Sequence, residues 1–219
     1  MIHRLFPTAI YQVSLGTEWA DAVTNIANGL AENKLNLAGT TSDLKGYSTY
    51  HQLPELDGLF SAVSHHTRLY LNAIGYAQQN FEIWATKTWI VDSDANKEST
   101  VGEHTHPSSD ISMVYYALHD GTAPIEFLNS HQPNETFGMS NQHDWPVRRT
   151  VTEFNCQSRS QPAQAGDLII FPSKLAHRVN VRPNSRRVSI SSDMIMAVKP
   201  TMLGVEFTRN SPVTWKNLV

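Results

Sequence analysis

Apolar positions recur at helical spacing in the first third of the chain and at strand spacing in the rest. Between 17 and 34, Trp19, Val23, Ile26 and Leu30 fall three or four residues apart and make one apolar face, with Thr17 as candidate N-cap. A second helix is predicted over 54–74. Pro54 suits its first turn, Leu56, Leu59, Phe60, Val63, Leu71 and Ile74 supply its apolar face, and Gly75 follows as C-cap. Ahead of both, residues 2–15 alternate loosely and read as a strand, with Pro7 marking an edge or turn. The polar stretch 35–53 reads as a loop.

From residue 81 the pattern changes to short strand-like runs: 81–91, 111–118, 124–128, 148–155, 167–171, 177–182, 186–197 and 203–208. Turn clusters separate them and no helical pattern intervenes, which predicts a sandwich or barrel. Residues 129–147 are mostly polar and read as a long loop, a length that often carries function. With His143, Trp145, Arg148 and Arg149 it is a candidate substrate lid. The division expected is one domain, 1–219, with an N-terminal strand and helices to about 78 and a β core from about 79.

Composition narrows the class. The formal net charge of -3 gives no global basic bias toward nucleic acid. A single cysteine, Cys156, excludes an internal disulfide and suits a reducing cytoplasm. No run approaches the ~20 apolar residues of a membrane-spanning helix, and residues 1–8 lack the apolar core of a secretory signal. The expected setting is cytoplasmic.

The chemistry gathers in two segments. Val101-Gly102-Glu103-His104-Thr105-His106-Pro107 leads into the strand-like run Ile111 to Leu118. Gly166-Asp167-Leu168-Ile169-Ile170-Phe171-Pro172 leads through a turn to His177. Side chains two apart in a strand share a face, so His104 and His106 can aim two imidazoles at one point, with His177 as third ligand. Imidazole suits iron, zinc, copper and nickel. Asp110 is an alternative to His106 as second ligand, but it would need the chain to fold back, and strand parity favours His106; Glu103 has the wrong parity. The other seven histidines read as surface or hydrogen-bonded polar residues.

Arg187 opens an apolar strand with Val188 and Ile190. A guanidinium there calls for an anionic partner, and its planar fork matches a carboxylate. Ser189 shares its face, whereas Arg186 has the opposite parity. Of Tyr115 and Tyr116, parity turns Tyr116 inward, where its phenol can reach the same carboxylate.

On these residues the chain resembles the 2-oxoglutarate- and Fe(II)-dependent dioxygenases, and more narrowly an uncharacterised bacterial and phage subgroup of them. The resemblance rests on Leu5 to Thr8, His104 to Pro107, Ser112 to Tyr116, Gly166 to His177 and Arg187 to Ser191, and spans nearly the whole chain. It implies a double-stranded β-helix (jelly roll), with N-terminal helices packed against it. It implies Fe(II) at one barrel mouth, 2-oxoglutarate as co-substrate and O2 as oxidant, with Arg187, Ser189 and Tyr116 on the distal carboxylate. The implied activity is a hydroxylase that couples decarboxylation of 2-oxoglutarate to succinate with oxidation of a protein side chain, a small metabolite or a nucleobase. The family's usual ligand set is two histidines and one carboxylate, and here His106 stands where the carboxylate is expected. Two other readings remain at this point: a cupin-like metal enzyme that does not use 2-oxoglutarate, and a non-catalytic jelly-roll protein. A homodimer through the N-terminal helices fits any of them.

Overall fold

The structure is a computed structural model that describes residues 7–32, 36–37, 40–41, 49–93, 100–129, 152–154, 156–180, 186–198 and 216–218. In chain order its elements are β1 (Tyr11–Ser14), α1 (Ala20–Glu32), β2 (Asn36–Leu37), β3 (Thr40–Thr41), α2 (Asp57–Ala73), β4 (Phe81–Ser93), β5 (Thr100–His104) and β6 (Ile111–Leu118). There follow β7 (Ile125–Leu128), β8 (Ser158–Gln161), β9 (Asp167–Pro172), β10 (His177–Asn180), β11 (Arg187–Val198) and β12 (Lys216–Asn217).

The strands form two antiparallel sheets. The larger runs β1-β9-β6-β11-β4-β3-β2, with β12 also on β4, and the smaller runs β5-β10-β7-β8. Apart from β2-β3-β4 and β7-β8, sheet neighbours are distant in sequence; this weaving is a sandwich of the kind the strand pattern predicts, and the jelly roll that the resemblance implies. The larger sheet is covered on both faces. Met113 and Tyr115 of β6 join Val23, Leu59, Phe60 and Val63 of the helices in one core. Val114 and Tyr116 join Ile125, Phe127 and Val179 of the smaller sheet in another. That double cover explains why Ile111–Ala117 is buried at every position rather than every second one. Each fully buried Leu, Ile or Phe contributes about 1.5–3 kcal/mol.

Several boundaries differ from the pattern. The first strand begins at Tyr11 among the described residues. Helix α1 starts at Ala20, not at 17: the Ala20 N–H donates to the Thr17 carbonyl in a turn, and Trp19 supplies the first helical acceptor, to Val23. Trp19 is held there edge-on against Tyr115. Residues 54–56 form a 3-10 turn ahead of α2. At its end Gly75 has φ +95°, and the Gly75 and Tyr76 N–H groups donate to Asn72 and Leu71 carbonyls, a Schellman closure. Ile74, assigned to the apolar face, is exposed because it is already the C-cap. Within 35–53, read as loop, the short strands β2 and β3 extend the larger sheet through β4.

Most strands fall where the alternation puts them. The exceptions in this part of the chain are β5, which the alternation does not single out, β12, which lies beyond the last predicted run, and β8, which lies after the run assigned to 148–155; residues 152–154 of that run form no strand, and 148–151 and 155 lie outside the described residues. The run 203–208 and the loop 130–147 also lie outside them.

Candidate metal centre

Strands β5 and β10 are antiparallel neighbours in the smaller sheet, and His104 and His177 stand opposite each other in their register. Their ring centroids are 4.3 Å apart. His106 lies past the end of β5, so strand parity does not place it. The Ser173 carbonyl does: it accepts the His106 N–H at 2.8 Å and draws this segment against the turn before His177. The His106 ring then sits 5.0 Å from His104 and 5.2 Å from His177. One potential ligand atom from each of the three lies within 4.8 Å of the other two.

The second ring nitrogens fix which atom is free. Nδ1 of His104 meets the Gly102 carbonyl at 2.8 Å, and Nδ1 of His177 meets the Leu175 carbonyl at 2.9 Å. Nδ1 of His106 meets Asp193 Oδ2 at 3.0 Å. A carbonyl or carboxylate oxygen can only accept, so Nδ1–H donates in each case and Nε2 keeps its lone pair. Burial, with the charges of His104 and His106 adding to it, pushes the His177 imidazole down to about 4, against the Leu175 hydrogen bond and Asp193. His177 is therefore neutral at pH 7, as a metal ligand must be.

Asp110 is not part of this group. Its Oδ2 accepts the Met196 N–H at 2.8 Å, and its N–H donates to the Met194 carbonyl at 2.9 Å, which ties it to β11. Glu103 is exposed on the far face of β5, as parity predicts. The Gly166–Asp167 pair serves the fold: Asp167 Oδ2 accepts from Gln12 Nε2 and the Gln164 N–H. His51 and His119 are buried but hydrogen-bonded to Thr88 and to the Ala123 carbonyl.

The histidines line a cavity between the sheets that also takes Trp89, Arg187, Ser189 and Ser191, with about 430 Å³ of space, open mouth included. Arg187 is only 4% exposed. Its Nε and Nη1, the Ser189 hydroxyl and the Tyr116 phenol have no hydrogen-bond partner among the described residues. Ser189 and Tyr116 are direct partners across β11 and β6, and the guanidinium carbon is 5.1 Å from the Tyr116 ring centre. Burial raises the Tyr116 pKa, with the Arg187 charge pulling the other way. Four unsatisfied polar atoms around one buried cation are costly unless an anion completes them. A carboxylate fits that donor set, and the imidazole trio fits a divalent transition metal. Arg186 turns away and pairs with Asp92.

Two cavity features were missed in the sequence. Trp89 stacks on His106, ring centroids 5.3 Å apart at 21°. Asp193 is buried behind His106, and its signal was available: Arg187, Ser189, Ser191 and Asp193 alternate along one strand.

Residues 87–193 match the family described as "Putative 2OG-Fe(II) oxygenase". No curated protein matches the sequence. Among solved structures, the non-heme alpha ketoglutarate dependent epimerase SnoN from nogalamycin biosynthesis is similar at 12% identity, with 97% of this chain and 92% of that one covered and a TM-score of 0.61. The same epimerase in complex with Fe3+, alpha ketoglutarate and nogalamycin RO is similar at 10% identity, over 94% and 89% of the two chains, with a TM-score of 0.57. A Pseudomonas putida prolyl-4-hydroxylase is similar at 13% identity, over 88% and 94%, with a TM-score of 0.52. At such identities these are likenesses of fold. The fold is that of the non-haem iron oxygenases, and the family match places residues 87–193, which carry the three histidines and Arg187, with the 2-oxoglutarate- and Fe(II)-dependent oxygenases. Its enzyme class is oxidoreductase, with iron and 2-oxoglutarate as the family's cofactor and co-substrate. Among the described residues no helix is long and apolar enough to cross a membrane.

Proposed function

We propose that the protein is a hydroxylase-type oxygenase in which His104, His106 and His177 hold Fe(II) through Nε2. In this reading Arg187, helped by Ser189 and Tyr116, takes the distal carboxylate of 2-oxoglutarate. The observation that carries it is one cavity lined by both the three clustered imidazoles and a buried guanidinium with two unpartnered nitrogens.

When bound, iron and 2-oxoglutarate supply oxygen activation coupled to decarboxylation of the co-substrate to succinate. The chain's own residues do the positioning. Arg187 offers a charge-assisted fork, and Ser189 and Tyr116 donate hydroxyl hydrogen bonds from opposite strands to the same anion. Phe171, edge-on to His177, and Val114, Ile125 and Val179 keep that side of the cavity apolar and limit water around the reacting groups. Trp89 walls the His106 side. The substrate presents an oxidisable C–H bond beside the histidines, a demand that a protein side chain, a small metabolite and a nucleobase all meet. The reading treats 1–219 as one oxygenase domain acting in the cytoplasm.

The test is succinate formation from 2-oxoglutarate by protein loaded anaerobically with Fe(II) and then exposed to oxygen. Slow uncoupled turnover, abolished in His177→Ala and Arg187→Ala, is expected. Tight iron binding with no 2-oxoglutarate binding overturns the reading.

A further inference from the structure

The three histidines are not equivalent in what stands behind them. His104 and His177 donate Nδ1–H to neutral backbone carbonyls, of Gly102 and Leu175. His106 alone donates to an anion, Asp193 Oδ2 at 3.0 Å. Asp193 is 6% exposed and is itself held from its other oxygen: Ser112 Oγ donates to Oδ1 at 2.8 Å, and Ser112 Oγ lies 2.8 Å from Ser173 Oγ. Ser173 also accepts the His106 N–H through its carbonyl, and its own N–H donates to the Asp110 carbonyl in the same segment. Asp193 thus belongs to a closed network that ties β6, β11 and the two ligand-bearing turns together. On β11 it ends the inward row that Arg187 begins, with Ser189 and Ser191 between them.

We infer that Asp193 is the carboxylate of this metal centre, displaced one residue outward and acting through His106 as a positioning residue. The inference rests on the reading of His104, His106 and His177 as metal ligands. Family sites with two histidines and one carboxylate carry a negative charge on the metal itself. Here His106 takes that position and Asp193 supplies the charge behind it. It also fixes the His106 tautomer and ring plane, so that Nε2 faces the other two ligands. Outer carboxylates on metal-binding histidines orient the ring and raise its basicity, and their loss typically costs about 10–100-fold in metal affinity.

The test uses the full chain without iron. Long-range 1H–15N spectra of the metal-free protein report the His106 tautomer, and titration with Co(II) alone, against a competing chelator, reports affinity. Wild type, Asp193→Asn and His177→Ala are compared. The expected result is His106 protonated on Nδ1 in wild type, Co(II) affinity about 10–100-fold weaker in Asp193→Asn, and near-complete loss in His177→Ala. Asparagine keeps the shape and an acceptor oxygen, so a loss in that variant reports the charge. Wild-type binding lost in His177→Ala but unchanged in Asp193→Asn overturns the inference and leaves the metal centre standing. His106 protonated on Nε2 in wild type overturns it too, and needs no variant to fold. A wild-type protein that binds no Co(II) removes the metal centre and the inference together.

Discussion

His104 and His177 are Cα partners across β5 and β10, and their imidazole centroids stand 4.3 Å apart. Two residues 73 positions apart in the chain are thus fixed by strand pairing, and a side-chain pair built on strands is held more rigidly than one on loops. The third residue, His106, is tied by a backbone hydrogen bond to the turn that precedes His177, and its ring is held by Asp193 Oδ2.

Each imidazole is expected to be indispensable for iron. His104→Ala, His106→Ala and His177→Ala should each weaken Fe(II) binding by more than the ~100-fold that losing an outer partner costs. Anaerobic equilibrium dialysis of the three variants measures this. Full-affinity binding by His106→Ala would return the second ligand position to another side chain.

Arg187 carries opposite consequences for binding and stability. Removing one member of a buried charge pair costs about 2–5 kcal/mol, so Arg187→Met should weaken 2-oxoglutarate binding by about 30-fold or more. The same change should leave the ligand-free protein as stable or more stable, since it removes a buried charge with unpartnered nitrogens. Calorimetric titration with 2-oxoglutarate and thermal unfolding without it separate the two effects. Arg187→Lys should not rescue binding, because a lysine cannot reproduce the planar fork.

Acid should destabilise the metal-free protein through His177. Its imidazole titrates at about 4 when folded and near 6.5 when unfolded. The unfolded state therefore binds more protons between those values. Stability present above pH 6.5 is lost as pH falls toward 4, by up to about 3 kcal/mol, with no further loss from this group below. Urea unfolding at pH 7 and pH 5, in wild type and His177→Gln, tests it: the drop in stability should be smaller in the variant.

Gly166 should tolerate no side chain. It has φ +91°, and a Cβ there would lie 2.8 Å from the Gly16 backbone. Gly166→Ala then adds a backbone clash to left-handed strain of about 1–2 kcal/mol. Gly16 has φ +80° but open space around it, so Gly16→Ala should cost the strain alone. Denaturant unfolding of the two variants should rank Gly166→Ala clearly the more destabilised.

The sequence by itself determined the strand-rich core, the two leading helices, His104 and His177 as the paired histidines, and the inward faces of Arg187, Ser189 and Tyr116. These depend on periods of two and 3.6 and on side-chain chemistry, which are local and survive in a linear string. It could not determine β5 or β8: β5 is a short strand at the edge of the smaller sheet, and β8, Ser158–Gln161, carries no apolar alternation. Parity named His106 for the wrong local reason, since β5 stops at His104 and the backbone contact with the turn at Ser173, with Asp193 on the ring, holds it there. The same holds for Asp193. Its face is legible from Arg187, but its place beside His106 depends on β11 lying next to β6 in the larger sheet while β5 and β10 pair in the other. Sheet order and sheet stacking follow from burying both faces of the larger sheet at once, which no stretch of sequence records alone.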